Sequence, residues 1–418
     1  MQTERLDART TAGRRAGIPP RRKHVHLWFP DLHAKGGIQV YSTFFLRALV
    51  ELFPELRLTV VVKNDPLGAT QPWLERRARV VRTGHWPREL RTAAFSSRLA
   101  VEYLRDLPAL VICGHLNFTG AAYWLRRATG VPYWAIAHGV EAWNLRSDRV
   151  RRAVCAADRI ISVSHYTADR LVAEQGVPAG RVSILPNTFD PELFRPGPKP
   201  AQLLQRYRLS PNARVIMTVA RLHYDERYKG YAQIIKALPT IRHYVPDVHY
   251  LVIGSGNDRQ RIERLIDQHR LRDHVTLAGF VPDAELPDHY RLCDVFAMPS
   301  KKEGFGIVYL EALSCGKPVL AGNRDGALDA LCGGELGVLV DPDDPQAIGG
   351  ALIEMLQGSH PLAILKDPER LRRRVIEEFA PRHFAEKLKA LCLGYGPCRQ
   401  EATDASDAAC SGNLERAT

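Results

Sequence analysis

Two doubly wound α/β domains, each on a parallel sheet and facing each other across a cleft, are the fold that this chain of 418 residues predicts. Three observations carry that expectation. The length exceeds one typical domain and fits two. In both halves short apolar runs alternate with amphipathic segments, at the spacing of strand–loop–helix–strand units. Between the halves, Asn187 to Asn212 gathers Pro191, Pro196, Pro198, Pro200 and Pro211, which marks a boundary.

The first half opens on the strand His24 to Phe29. A loop, Pro30 to Gly37, ends in Gly36-Gly37 and feeds a helix from Ile38 to Phe53 and a strand from Leu58 to Val62. The rhythm continues with strands at Ala109 to Cys113, Pro132 to Ala137, Arg159 to Val163 and Val182 to Leu185. Helices are expected at Thr119 to Ala128, Arg149 to Ala156 and Thr167 to Glu174. The second half places strands at Val215 to Ala220, His249 to Ile253, Val275 to Ala278, Asp294 to Met298, Pro318 to Ala321 and Leu336 to Val340. Its helices are expected at Arg259 to His269, Ala284 to Arg291, Ile307 to Cys315, Pro345 to Leu356, Pro368 to Phe379 and Arg382 to Cys392. Asp343 or Asp344 stands ready to cap the helix at Pro345. The resulting domains are 24–200 and 201–375, with a final helix over 376–393.

Residues 1–23 are polar and basic, with Arg5, Arg9, Arg14, Arg15, Arg21, Arg22 and Lys23 against Glu4 and Asp7. Such a stretch predicts a disordered basic arm, and 394–418 predicts a loose tail. No apolar run approaches the roughly 20 residues of a membrane span, and the start lacks the apolar core of a signal peptide. The expected location is therefore cytoplasmic. The eight cysteines are scattered and form no C-x-x-C, so most are expected as free thiols in a reducing compartment. The formal charge of +12 suits an anionic substrate, an anionic membrane face or nucleic acid. No zinc module or interleaved aromatic platform supports nucleic acid as a partner.

Ligands of open parallel sheets lie beyond the carboxyl ends of the strands. Gly36-Gly37, His115, His138, Arg221 and Glu303 all fall at such ends. Arg221 followed by Lys229 could grip two linked phosphates, one by its fork and one as a point charge; a solvated charged loop is the structural alternative. His138, directly after an apolar run, is placed to meet a sugar hydroxyl or to line the reacting face, unless it is a satisfied structural histidine. The stretch Ser300 to Gly316, S-K-K-E-G-F-G-I-V-Y-L-E-A-L-S-C-G, holds the densest signal. A helix that opens behind E-G-F-G turns free N–H groups toward the loop, a position that suits phosphate. A carboxylate at Glu303 suits sugar hydroxyls instead, and Glu311, about two turns further on, could meet a second part of the same ligand.

Other chemistries lack their residues. G-x-G-x-x-G is absent after the first strand, Gly254-x-Gly256 is incomplete, and no P-loop occurs. No H-E-x-x-H or Cys/His ligand spacing points to a metal.

The ordered set G-G-I-Q-V-Y (Gly36 to Tyr41), A-H-G (Ala137 to Gly139), S-V-S-H-Y-T (Ser162 to Thr167), I-L-P-N (Ile184 to Asn187), V-A-R-L (Val219 to Leu222), Lys229-Gly230 and E-G-F-G with its second acid is more specific than any one motif. In this order it resembles the family 4 retaining glycosyltransferases over roughly His24 to Cys392. The resemblance implies the GT-B fold, an acceptor-side first domain and a second domain that binds a UDP- or GDP-sugar as co-substrate, with no cofactor and no metal. By position, Arg221 and Lys229 look like the pair on the donor diphosphate, Glu303 like the acid on the transferred sugar and Glu311 like the acid on the ribose. Gly304, Phe305 and Gly306 look like the backbone around sugar and phosphate. His138 looks like the histidine near the reacting face, and Gly37 like the glycine near phosphate and acceptor. Phe280 and Val281 lie where the family recognises the base, and the final helix resembles the one that crosses back to the first domain.

Two departures stand out. The separation of Arg221 from Lys229 is long, with D-E-R-Y inserted, so Arg227 is a candidate for part of the phosphate role. P-N-T-F-D at Pro186 to Asp190 replaces the usual P-N-G-V-D. The expected activity is retaining transfer of a hexose-type sugar to a hydroxyl, on a lipid-linked saccharide of cell-surface polysaccharide synthesis. A nucleotide-sugar 2-epimerase and a non-catalytic sugar-nucleotide-binding protein are the alternatives. Glu75 to Asp106, with eight arginines against four acids and with Trp86 and Phe95 among them, is expected to form a peripheral membrane surface.

Overall fold

The computed structural model describes residues 23–69, 71–145 and 147–394. Apart from Lys23 and Gly394, the expected basic arm and tail lie outside the described residues, as do Cys398 and Cys410. The other six cysteines are free thiols.

The first sheet has seven parallel strands: β1 (His24–Phe29), β2 (Arg57–Val62), β3 (Ala78–Arg82), β4 (Leu110–Cys113), β5 (Tyr133–Ala137), β6 (Arg159–Ser162) and β7 (Val182–Ile184). Their order is β3-β2-β1-β4-β5-β6-β7. The second has six: β8 (Arg214–Val219), β9 (Val248–Ile253), β10 (Val275–Gly279), β11 (Val295–Met298), β12 (Val319–Gly322) and β13 (Val338–Val340), in the order β10-β9-β8-β11-β12-β13. Strands β1, β4, β5, β9, β11 and β12 are buried along their whole length. Helices cover both faces of a parallel sheet, which is why these strands read as continuous apolar runs.

Strand β3 is an addition to the expected set. It lies at the sheet edge and only Val81 is fully buried, so A-R-V-V-R carries arginines where an inner strand would carry apolar residues. The segment that follows is a helix, Arg88–Arg105, whose buried side includes Phe95. Phe95 therefore belongs to the core and is withdrawn from the expected membrane surface. Asp344 caps the helix Pro345–Gln357 through the N–H groups of Gln346 and Ala347.

Both sheets reverse their strand order at one place, between β1 and β4 in the first and between β8 and β11 in the second. The loops after these strands diverge and leave a crevice at each switch point. Gly37 follows β1 and Glu303 follows β11, so the topology puts each motif at the crevice of its own sheet.

Several contacts join the domains. The helix Pro381–Leu393 packs on the helix Gly37–Leu52 of the first domain, with Phe384 edge-on to Tyr41 at 5.5 Å between ring centroids. Arg159 donates to the Leu391 carbonyl at 3.2 Å, and Thr188 to that of Phe379 at 2.7 Å. Across the cleft, Lys35 pairs with Asp283 at 3.2 Å. The Asp329 carboxylate accepts the backbone N–H groups of His165 and Tyr166 at 2.8 and 3.2 Å. The tightest approach is backbone on backbone. A Cβ built on Gly304 would stand 1.8 Å from the His138 carbonyl oxygen and 3.0 Å from the Gly139 Cα.

Gly304→Ala therefore cannot be absorbed by a side-chain rotation. The methyl is expected to part the domains, at a cost of about 1–3 kcal/mol typical of overpacking. Small-angle scattering should show a larger radius of gyration with helical content intact. An unchanged scattering curve would mean that the His138–Gly139 backbone gives way instead.

Candidate active site

Val295 to Met298 is buried because it is the strand at the switch point of the second sheet. Pro299 ends it, and the loop Ser300 to Gly306 turns back over the crevice before the helix Ile307–Ser314. Gly306 has φ +92°, and a Cβ there would meet the Tyr309 ring at 2.4 Å. The loop is fixed from below by the turn after β12. The buried Asp325 carboxylate accepts the Glu303 N–H at 2.7 Å, the Ser300 hydroxyl at 2.7 Å and the Ala327 N–H at 3.0 Å. The Gly326 N–H donates to the Glu303 carbonyl at 2.8 Å.

A cavity of about 610 Å³ lies between the domains. Of the residues expected at the site, Gly37, Lys229, Glu303, Gly306 and Glu311 line it. Lys229 and Glu303 form an ion pair, with both side chains mostly buried. Burial alone would push the Lys229 amine down, but the Glu303 carboxylate and its hydrogen bond outweigh burial and hold the amine above its ordinary value. Ile307 and Val308, in the first turn of the helix behind Gly306, also line the cavity. Their N–H groups are among the four that the start of a helix leaves without an intrahelical partner.

Glu311 lies deeper. Its carboxylate accepts the Tyr290 hydroxyl at 2.7 Å. Burial pushes its pKa up to about 7; the Tyr290 hydrogen bond pulls the other way and the nearby Asp283 adds to the rise. The wall facing these residues comes from the first domain, through Lys35, Gln39, Val40, Thr43, Phe44 and Arg47. Phe189 and Asp190 of the P-N-T-F-D stretch line it too, so the bulkier residue of that departure forms part of the cavity wall.

The remaining expected residues do not line the cavity. His138 sits at the end of β5, on the backbone that touches Gly304. Its Nε2 lies 2.9 Å from the Gly114 carbonyl oxygen. Nε2 must carry the proton in that bond, which leaves Nδ1 as an acceptor when the ring is neutral. Burial pushes its pKa below the ordinary histidine value, against the opposing pull of Glu141 and Gly114. His115 stands 6.3 Å from it, centroid to centroid, and its Nδ1 accepts the Asn117 N–H. Phe305 is buried, edge-on to Phe379 at 5.5 Å, so only its backbone is available to a ligand. Phe280 is exposed with the Lys35 ammonium 4.6 Å above its ring, and Val281 beside it is buried.

Arg221 is 74% exposed and pairs with Glu226 at 2.6 Å. The inserted D-E-R-Y forms the 3₁₀ turn Tyr224–Lys229. Arg227 is corrected as a phosphate candidate. Its guanidinium holds the buried Asp258 at 2.8 Å, which also takes Arg261 and the Tyr231 hydroxyl. Desolvation would raise the Asp258 pKa, but hydrogen bonds from Arg261, Tyr231 and Arg227 lower it to about 2. Withdrawing Arg227 would strip a partner from a buried charge. Gly254 and Gly256 serve packing: a Cβ on either would land 1.8 or 2.1 Å from the carbonyl oxygen of Ala220 or Leu222.

Asp325, Asp329 and Tyr290 went unnoticed in the sequence. Asp325 follows the end of β12, the same kind of position that singled out Glu303, and that was the available signal. Among the described residues no group of three or more His, Cys, Asp or Glu side chains could hold a metal ion.

Two family models cover most of the chain: Glycosyltransferase Family 4 over residues 35–193 and Glycosyl transferases group 1 over residues 202–378. A GDP-mannose-dependent alpha-(1-6)-phosphatidylinositol monomannoside mannosyltransferase of Mycolicibacterium smegmatis is 34% identical over 272 residues, which are 62% of this chain and 67% of that protein. Its Mycobacterium tuberculosis counterpart is 35% identical over 53% of this chain and 60% of its own. A D-inositol 3-phosphate glycosyltransferase of Thermobispora bispora is 32% identical over 61% and 64%. Among solved structures, Anabaena HepE in complex with UDP and glucose matches with a TM-score of 0.72 and 19% identity, over 89% of this chain and 100% of that one. Sucrose-phosphate synthase from Thermosynechococcus elongatus matches with 0.73 and 22%, over 88% and 98%. With both models in sequence order and two facing parallel-sheet domains of the GT-B kind, the chain belongs to the family 4 glycosyltransferases.

Proposed function

We propose that the protein moves a hexose-type sugar from a nucleoside diphosphate sugar to a hydroxyl of a lipid-linked saccharide or glycolipid, with retained anomeric configuration. One observation carries this reading: a lysine and a carboxylate face each other in a cavity walled by both domains, which Gly37 and Glu311 also line. Each neutralises the other in their ion pair. A sugar diphosphate offers both a better partner, phosphate oxygens to Lys229 and sugar hydroxyls to Glu303.

In this scheme Lys229, Arg221 and the N–H groups of Ile307 and Val308 gather charge at the leaving diphosphate. Reaching it requires Arg221 to leave Glu226. The bond from the anomeric carbon to the phosphate oxygen breaks, and the acceptor oxygen forms its bond on the same face. The acceptor proton passes to the departing phosphate oxygen. Phosphate is a fair leaving group, so no carboxylic acid is needed to protonate it as in a glycosidase. Glu303 orients the sugar, the backbone of Gly304 and Phe305 closes over it, and His138 borders the reacting face. The backbone around Phe280 and Val281 is assigned to the base, as the family resemblance implies. The mannosyltransferase relatives make GDP-mannose the first donor to test, ahead of UDP-sugars.

The acceptor side is supported by chemistry of the first domain. Along and just before the helix Arg88–Arg105, Trp86, Leu90, Val101 and Leu104 are exposed among arginines, a mixture suited to an anionic lipid surface. No helix among the described residues is long and apolar enough to cross a membrane. Peripheral attachment is the arrangement proposed.

Nucleoside diphosphate release, screened over GDP-mannose and UDP-sugars with and without a membrane lipid extract, tests the activity. One donor should dominate, lipid should stimulate it, and Glu303→Gln should lower turnover by about 100-fold. Turnover near wild type in that variant would remove the role given to Glu303.

The Glu311 carboxyl, pushed up to about 7, accepts from both ribose hydroxyls with both oxygens free of protons only when ionised. Nucleotide affinity should rise about tenfold from pH 6 to pH 8 by simple titration. Glu311→Gln should flatten the profile in calorimetric titrations with GDP or UDP, and that variant also controls for protons on the ligand. A wild-type slope retained in the variant would detach Glu311 from the nucleotide.

Liposomes containing anionic lipid should sediment the protein at low salt, less so at high salt. Absence of binding at low salt would remove the membrane argument and leave a water-soluble acceptor.

A further inference from the structure

The turn after β12 holds Glu303 by its backbone at both ends of one residue. Its N–H goes to the Asp325 carboxylate at 2.7 Å, and its carbonyl takes the Gly326 N–H at 2.8 Å. With both groups fixed, the Cα–Cβ direction of Glu303 is set before any ligand arrives. Gly326 must be glycine for this, since a Cβ there would stand 2.1 Å from the Gly304 carbonyl oxygen. Asp325 is fully buried, and every hydrogen bond that it makes is as an acceptor, from Glu303, Ser300 and Ala327. Ser300, also fully buried, ties the same carboxylate back to the start of the loop.

We infer that Asp325 is a positioning residue for transfer: through the Glu303 backbone it aims the Glu303 carboxylate at the sugar. This rests on the role proposed for Glu303 and adds a second residue that touches no ligand. A buried carboxylate is an expensive way to close a loop. Burial pushes its pKa up to about 7 against the pull of its three donors. A serine or asparagine could satisfy one or two of those donors without a charge, but only a carboxylate accepts all three from fixed directions. The need is geometric, because a catalytic group displaced by about 1 Å can lose about 100-fold in rate.

The expected signature separates aim from stability. Asp325→Ala should lower turnover by about 100-fold, while the affinity for GDP or UDP, which carry no sugar, changes less than about threefold. In the double variant with Glu303→Gln, removing Asp325 should cost little more, because the group that it aims is already gone. Asp325→Asn retains one acceptor oxygen but sets an amide NH₂ against a backbone N–H, and it should fall between wild type and alanine. If the alanine variant does not fold, the asparagine variant carries the same cycle. Losses that multiply in the double variant, or nucleotide affinity that falls as far as turnover, would overturn the inference. Impaired Glu303→Gln with an unimpaired Asp325→Ala would overturn this inference alone, whereas an unimpaired Glu303→Gln would overturn the role of Glu303 itself.

Discussion

A lysine after β8 and a glutamate after β11 meet where the second sheet reverses direction, and the rest of the site is arranged around that pair. Neither charge would be stable alone at such burial. The pairing sets the Lys229 ammonium against the Glu303 carboxylate and keeps the amine above its ordinary value in spite of its burial. The strand order explains why the pair can form. β8 and β11 are neighbours, but the loops that leave them run to opposite sides, which opens the crevice in which Lys229 and Glu303 turn toward each other.

Close backbone contact is the second constraint. Glycines stand where a loop presses on another chain segment: Gly304 on His138 and Gly139, and Gly326 on Gly304. Three layers of backbone thus stack from the first domain through the Glu303 loop to the turn after β12, with no side chain between them. Side chains in those places would need space that only separation of the layers provides. The stack places His138 beside the loop that carries Glu303 although the two residues come from different domains.

Much of the fold was legible because burial on both faces forces apolar runs, and these runs mark inner strands. Edge strand β3 escaped because an edge strand need not be apolar, and its arginines read as a surface. Glu303, Lys229 and Glu311 were legible through motif order. The state of their neighbours was not. Nothing in the sequence distinguishes Arg227, committed to the buried Asp258, from Arg221, paired at the surface with Glu226. Periodicity reports which side of an element is buried, and it is silent about which partner a charged group finds across the fold. Asp325 and Asp329 were missed for the same reason: their partners lie 22 and 164 residues away.

These two aspartates connect the geometry of the loop to the relative placement of the domains. They lie four residues apart, Asp325 before the short helix Ala327–Ala330 and Asp329 within it. Asp325 faces inward to the Glu303 loop. Asp329 faces outward to the first domain, where it receives N–H groups at the start of the helix His165–Gln175. A carboxylate suits that helix end, which carries partial positive charge and unsatisfied donors. Separation of the domains would strip Asp329 of those donors while leaving Asp325 in place. The Glu303 loop therefore keeps its own hydrogen bonds independently of the first domain, whose contact adds the facing wall of the cavity. The Glu303 loop takes its shape from the second domain alone, whereas the cavity in front of it needs both domains together.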